Sequence, residues 1–582
     1  MPRDRVLLCL VVSAVAAIVH LFLAGYSATH LETVWDESVD RRIALGLRDH
    51  PLVGEQPTLD PSQTRLPMYA TALLYRVTGR DSVGMGRAGS IVCGAITVFA
   101  TGMLGGSLFG GAVGAMAAAL LAFSPYFIGF SRIAMTEGDV YFACTMTLAL
   151  WSFIGYLRRP NITRAVGTAI LLAATVGAKF YGGILVVVFL VLTRWTRLHR
   201  PLERDPSRRD LWRYRNLLAM GWVVIGVTVI VAIWSKPGAV VGWVVLLAVW
   251  LYAVGLALIK RTLDPRPWPA LFGLLALAGL SFFALIPVHL IEHRILRELL
   301  HRTLSWDHHV PLALAGDHLR LYSGIILIKL TWPLGILTAL GLIYAAVTER
   351  DHARWRPIVL TTIWYVVALC FLPLRQTFYL MGVYPLLMIL TAGMIEQVGV
   401  WARSYSRGLR SAWAVTAAGM FVHLVVQVRA SYPDYHLYGH AWIGDRWLGA
   451  GAIGYRNLIQ TPSDGVESLG HWCRQHIGAG RRVVSYVWED AILDPLLAGA
   501  PFEFTPRGLS ESSDALPPPP PIDTADYVLL HLNNRIGYGD RPPDWPDEKV
   551  LDALFTPVFT VSRAGLEVAW VYGRKVSNPP AR

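Results

Sequence analysis

Apolar runs long enough to cross a bilayer recur along most of this chain, and nothing else in the sequence constrains its fold as strongly. Spanning the hydrocarbon core takes roughly 17–25 residues of helix. Windows of that kind fall near residues 6–26, 88–109, 111–130, 139–157, 164–178 and 180–193. Others follow near 216–234, 240–259, 269–290, 323–347, 357–373, 379–397 and 411–428, about thirteen in all. No water is available inside a bilayer to satisfy backbone N–H and C=O groups, so these segments are read as helices. Of the 582 residues, 54% are hydrophobic and only 16% are charged, which fits a polytopic membrane protein and not a string of soluble domains.

The net charge of +12 is placed by topology. Alternate connections are basic: 194–215 is arginine-rich, and shorter ones carry Arg158/Arg159/Arg164, Lys260/Arg261/Arg266, Arg350/Arg354/Arg356 and Arg403/Arg407/Arg410. With Arg3 and Arg5 they fall on one side, which the positive-inside rule names cytoplasmic. The arginines of loop 27–87 depart from that rule, as loops of that length begin to escape it. No basic stripe with interleaved aromatics stands apart from the loops, so nucleic acid is excluded as a partner. The first run lacks a small-residue cleavage site and reads as a retained signal anchor. The expected location is the plasma (inner) membrane, multi-pass, with the N-terminus cytoplasmic. None of the five cysteines suggests a disulfide framework or a CxxC metal site.

This topology puts loop 27–87, the turn 131–139, loop 291–322 and everything from 429 on the opposite, extracytoplasmic face. The division expected is a transmembrane domain over 1–428 and an extracytoplasmic α/β domain over 429–582. Strand-like runs occur at 483–487 and 527–532, and a hairpin over 557–562 and 566–573 breaks at Ala564-Gly565. Helical patterning marks 465–477 and 547–554, and Pro517 to Pro521 must be an extended loop.

Two acidic pairs share the extracytoplasmic face. Asp36 and Glu37 lie in Trp35-Asp36-Glu37 after the first span, and Glu137 and Asp139 follow the third. Ionisable groups at a membrane are costly and usually serve an ion path, a substrate or a partner. A carboxylate can take a proton from an attacking hydroxyl. A leaving phosphate needs cations more than protonation, and Arg132, Lys179, Arg375 and the Arg320 region are on this face.

Further segments accompany these residues in order: Trp35-Asp36-Glu37, Arg65-Leu66-Pro67-Met68-Tyr69, Gly86-Arg87-Ala88-Gly89-Ser90 and Ser124-Pro125-Tyr126. They continue with Ser131-Arg132, Thr136-Glu137-Gly138-Asp139, Gly177-Ala178-Lys179-Phe180, Arg375-Gln376-Thr377-Phe378-Tyr379, Tyr384-Pro385 and Tyr432-Pro433-Asp434-Tyr435. In order and spacing these segments resemble the C-type polyprenyl-phosphate-sugar glycosyltransferases, which include protein O-mannosyltransferases and the aminoarabinose transferase of lipid A. The resemblance covers roughly residues 5–480. Arg65-Leu66-Pro67 lacks one proline of the family's segment, and Glu137 stands where many members carry Asp.

The resemblance implies the C-type fold and transfer of a sugar from a polyprenyl-phosphate donor to a hydroxyl of a protein, lipid or glycan, with inversion. Asp36 would be the base and Glu37 would shape its surroundings. Glu137 or Asp139 would orient acceptor or sugar, or help bind a metal. Lys179, Arg375, Arg132 and Tyr379 would hold the donor phosphate. No cofactor is called for, and a divalent metal is compatible with these residues.

Plainer readings stand beside these. Asp36-Glu37 fits a solvated loop or a helix N-terminal pair, and Glu137 and Asp139 fit first-turn acids. Lys179 fits a snorkelling residue, and Arg375 and Tyr379 fit interfacial anchors. His289/His293 and His308-His309 have metal-like spacing without a matched carboxylate. Gly449-Ala450-Gly451-Ala452-Ile453-Gly454 matches a dinucleotide motif without the strand it requires. Asn161-Ile162-Thr163 matches a glycosylation acceptor in a cytoplasmic turn, where it means nothing. The competing classes are a transporter or flippase for a lipid-linked glycan, with the acids as an ion relay, and a non-catalytic envelope scaffold.

Overall fold

The computed structural model describes residues 3–32, 37–50, 66–134, 139–159, 161–196, 267–286, 312–347, 352–370, 377–432, 435, 465–487, 490–506, 522–531, 548–563 and 566–575. The expected spans at 216–234 and 240–259 lie outside these residues, as does the proline run 517–521.

Helices form where the described apolar windows fall, and two more, over 37–49 and 66–78, stand within the expected loop 27–87. They are α1 (Arg3–Ala28), α2 (Glu37–Asp49), α3 (Leu66–Thr78), α4 (Val83–Phe109), α5 (Gly111–Ala122), α6 (Pro125–Ser131), α7 (Asp139–Arg158), α8 (Ile162–Ala178) and α9 (Ile184–Thr196). After them come α10 (Pro267–Leu285), α11 (Leu312–Lys329), α12 (Trp332–Val347), α13 (His352–Leu369), α14 (Tyr384–Tyr405) and α15 (Arg407–Ala430). Among the described residues five helices are long and apolar enough to cross a membrane, or six if the bent pair α5–α6 is one span. Phe22 on α1 is 68% exposed and Val415 on α15 is 73% exposed. Apolar faces left open on that scale suit lipid and not water.

Local chemistry sets the helix starts. The Ser82 hydroxyl accepts from the Met85 N–H at 3.3 Å to cap α4, and Ser406 caps α15 through Leu409 at 3.1 Å. Asn161, the first residue of the apparent glycosylation triplet, caps α8 by accepting from the Arg164 N–H at 2.8 Å. Two windows that read as single spans are broken. The run 111–130 bends by 64° between α5 and α6, because Ser124 caps a new helix through Phe127 and Pro125 starts it. The run 323–347 breaks between Lys329 and Trp332, where Thr331 has φ 66°. Hydropathy alone registers neither break, since apolar residues flank each of them.

The centre of the bundle is the first half of α14, where Leu386 through Leu390 are buried on every side. It packs on α5 and α12, with the Thr391 and Thr338 hydroxyls 2.6 Å apart across the interface. Small residues bring α1, α4 and α5 together: a Cβ added at Gly106 would lie 2.6 Å from Cys9 Sγ.

The terminal part is an α/β unit. A five-stranded sheet has the order β2-β1-β3-β5-β4, built from β1 (Arg482–Ser485), β2 (Glu503–Pro506), β3 (Tyr527–His531), β4 (Phe555–Arg563) and β5 (Leu566–Arg574). β1 pairs parallel with β2 and β3, while β5 pairs antiparallel with β3 and β4. Helices α16 (Val466–His476) and α17 (Asp490–Leu497) cover one face through Leu469, Cys473 and Leu493, packed with Val483, Leu529 and Val571. On the other face Val484, Val528 and Trp570 pack with Leu551 of α18 (Glu548–Leu554). Helix, central strands and hairpin fall where the sequence predicts them. β2 and α17 carry too few residues for a periodic signal and are read only from the structure.

Candidate functional site

Five chain segments converge at one end of the helices: the C-terminus of α1, the N-termini of α2, α4 and α7, and the C-terminus of α8. Their polar side chains form two adjoining clusters.

The first is centred on Arg87, in the first turns of α4. Its Nε and Nη2 donate to the two carboxylate oxygens of Glu37 at 2.9 and 2.6 Å. Nη1 donates to the carbonyls of Ala28 and Leu31 at 2.9 and 2.8 Å, and Nη2 to that of Glu32 at 2.7 Å. The three carbonyls belong to the end of α1 and the residues after it, so one guanidinium closes a helix terminus and fixes the start of α2 together. Glu37 has no exposed surface, and its Oε1 also accepts from the Ala134 N–H at 2.6 Å. It therefore ties α2 to the turn that leads into α7. Nearby, Arg132 is completely buried, donates to the Ser27 carbonyl at 3.2 Å and lies 5.3 Å from the Tyr435 ring centre.

Close packing holds α4 in this register. A Cβ at Gly94 would meet Ser131 Oγ at 2.7 Å and His20 Nε2 at 2.8 Å, and one at Gly89 would meet the Tyr141 hydroxyl at 2.5 Å. Tyr75 of α3 lies beneath; burial pushes its hydroxyl up to about 12, and its O–H donates to the Ser82 carbonyl at 3.3 Å.

The second cluster surrounds Lys179. Extended backbone at Lys179 (φ −148°, ψ 128°) ends α8 and turns the chain into a 3-10 turn, Phe180–Gly183. The ammonium lies 3.3 Å from Asp139 Oδ1 and faces the rings of Tyr379, Phe378 and Tyr181 at 4.8, 5.6 and 5.7 Å. Lys179 and Asp139 are 8% and 5% exposed, so their attraction acts in a poorly solvated site. Phe378 and Tyr379 come from the 3-10 turn Thr377–Gly382, which the Tyr365 hydroxyl anchors by donating to the Tyr379 carbonyl. Gly382 is required there, since a Cβ would run into the Phe142 ring. Deeper still, Tyr384 donates to the Lys329 carbonyl at 2.9 Å and accepts from Ser124 at 3.1 Å.

A buried ammonium that faces aromatic rings and pairs with a carboxylate can receive an anion beside an apolar group. Of the residues singled out from sequence, the structure gathers Asp139 and Tyr379 around Lys179, and sets Glu37, at the start of α2, against the turn that carries Arg132. Asp36, Glu137 and Arg375 lie outside the described residues, as do His289, His293, His308, His309 and 449–454; the Arg320 side chain does too. Among the described residues no group of three or more His, Cys, Asp or Glu gathers to hold a metal.

Arg87 has no assigned role in the sequence motifs, although a charged residue opening an otherwise apolar helix is a signal for a buried partner. Lys329, a lysine inside an apolar run, carries the same signal, and its ammonium lies 5.7 Å from the Tyr126 ring centre; Tyr365 carries none, because its hydroxyl donates to a backbone carbonyl of a distant segment.

A helical membrane protein with polar clusters at one bundle end and an appended sheet is the class that fold and site define. Residues 62–203 match the family model for dolichyl-phosphate-mannose-protein mannosyltransferases, a segment that includes Arg87, Arg132, Asp139 and Lys179. The resemblance read from the motifs is thus met independently over that stretch. Among solved structures the chain is similar to ArnT from Cupriavidus metallidurans bound to undecaprenyl phosphate, with a TM-score of 0.48 and 13% identity over 96% of this chain and 97% of that one. It is also similar to the archaeal oligosaccharyltransferase AglB from Archaeoglobus fulgidus, in complex with an inhibitory peptide and a dolichol-phosphate. There the TM-score is 0.47 and identity 13%, over 97% of this chain and 74% of that chain. Both superpositions are loose. No curated protein matches the chain.

Proposed function

We propose that this chain is an integral-membrane glycosyltransferase that moves a sugar from a polyprenyl-phosphate donor to an acceptor hydroxyl on the extracytoplasmic face. The observation that carries the reading is the Lys179 ammonium, paired with Asp139 and walled by Tyr379, Phe378 and Tyr181, inside the segment that matches the mannosyltransferase family.

In this reading the donor phosphate approaches Lys179 and competes with Asp139 for its charge, with Arg375 as a second cation. The acceptor oxygen attacks the anomeric carbon as the bond from that carbon to the phosphate oxygen breaks. The bonding pair leaves with the phosphate, and the acceptor proton passes to Asp36. A single displacement of this kind inverts the anomeric centre. Glu37 does not take the proton: with both oxygens engaged by Arg87, it sets the position of its neighbour Asp36. Arg132 braces the same turn from Ser27. Asp139 or Glu137 orients acceptor or sugar. The basic connections support a cytoplasmic N-terminus, which puts the site and the sheet unit outside.

Purified protein in proteoliposomes, given a polyprenyl-phosphate sugar with label in the sugar and a panel of acceptors, tests this. Covalent transfer is expected. Transbilayer movement of the labelled lipid without transfer would favour a flippase instead.

A further inference from the structure

The sheet unit reaches back to the acidic segment at a specific place. Ser468 Oγ donates to Glu32 Oε1, a hydrogen bond between residues 436 apart in sequence. Ser468 is in the first turn of the eleven-residue helix α16, so the Glu32 carboxylate also meets the positive end of that helix. Both side chains are half-buried. Glu32 is held at its other end as well, since its backbone carbonyl accepts from Arg87 Nη2 at 2.7 Å. One residue thus joins the terminal sheet unit, the guanidinium at the head of α4 and the chain leading to Asp36 and Glu37.

A second contact lies on the far side of the acids. Helix α2, which Glu37 begins, touches α17 of the sheet unit. There burial raises the Asp494 carboxyl while the Arg42 charge pulls it back down. The sheet unit accordingly touches the polypeptide before and after the acidic pair.

We propose that Glu32 and Ser468 form a positioning latch, through which the terminal sheet unit sets the placement of the segment bearing Asp36 and Glu37. Neither residue touches substrate; both act through the backbone that Arg87 anchors. The consequence for catalysis rests on the glycosyltransferase reading, whereas the consequence for the segment's protection does not.

The test uses the full chain in detergent or nanodiscs with Ser468→Ala, Ser468→Thr and Glu32→Gln. Ser468→Ala is expected to raise amide hydrogen exchange in both 28–50 and 465–477. It is also expected to lower kcat by ~10-fold with donor KM unchanged, because the Lys179 box is untouched. Ser468→Thr keeps the hydroxyl and is expected to stay near wild type in exchange and rate, whereas Glu32→Gln keeps an acceptor oxygen but loses the charge and is expected to fall between wild type and Ser468→Ala. Unchanged exchange in 28–50 for Ser468→Ala would overturn the latch, as would Ser468→Thr as impaired as Ser468→Ala. So would a loss confined to donor KM. If even wild type transfers no sugar, the functional reading fails, and the exchange data still decide the latch.

Discussion

Arg87 and Glu37 form a two-point ion pair at 2.9 and 2.6 Å, with side chains only 8% and 0% exposed. Desolvating two charges is expensive, and an apolar pair often serves stability as well. Here an apolar pair would not, because the same groups also satisfy three backbone carbonyls and the Ala134 N–H. The pair is therefore a junction for three chain ends, and Asp36 is attached to it by one peptide bond.

Removing either partner leaves a buried charge without its counter-charge. Arg87→Met and Glu37→Leu are each expected to cost about 3–5 kcal/mol, and the double variant should not recover that loss. Thermal unfolding of the purified variants, followed by tryptophan fluorescence, measures it. Recovery in the double variant would show that the carbonyl contacts matter little.

Lys179→Met keeps an unbranched side chain among the rings and removes the charge. A charge-assisted hydrogen bond contributes about 1.5–3 kcal/mol, so affinity for a polyprenyl phosphate should fall by roughly 10- to 150-fold. Asp139→Asn removes the competing anion and should not weaken binding of the phosphate. Titration with the phosphate-bearing lipid reads both.

Gly94→Ala forces a methyl against Ser131 and His20 and should cost about 1–3 kcal/mol. Gly419 on α15 has nothing within 4 Å of an added Cβ, so Gly419→Ala should be neutral or stabilise by up to about 1 kcal/mol. The two melting temperatures, measured side by side, check the packing of α4.

Burial pushes the Cys473 thiol up to about 12 from its ordinary 9.0. The folded state therefore keeps its proton where the unfolded state releases it. Its contribution to stability is complete below 9.0 and declines as pH rises from there toward about 12. Maleimide should leave Cys473 unlabelled at neutral pH until the sheet unit unfolds, as peptide mapping would show. Rapid labelling of the folded protein would mean that the thiol is accessible.

Much of the helical half is legible in the sequence because lipid demands long apolar helices, and their windows are found by hydropathy. The terminal strands are legible because Val483 to Val487 and Tyr527 to Leu532 are β-rich runs between turn residues. The break at Thr331 is legible only in part: Pro333 marks the start of the next helix, but the positive φ of Thr331 has no sequence signature. The candidate site divides in the same way. Asp139, Lys179 and Tyr379 were singled out by residue type and topological side, and they meet in the structure. The role of Arg87 depends on three carbonyls whose positions only the fold supplies, and the contact of Ser468 with Glu32 bridges segments with no shared pattern.

We propose above that Asp36, set in place by Glu37, takes the acceptor proton as sugar leaves a lipid phosphate. Single-turnover transfer from a labelled polyprenyl-phosphate sugar, comparing wild type with Asp36→Asn and assigning the anomeric configuration of the product, tests it most directly. An inverted product is expected, with the rate for Asp36→Asn lower by roughly 10²–10⁴-fold. A retained configuration, or transfer by Asp36→Asn as fast as wild type, would contradict it.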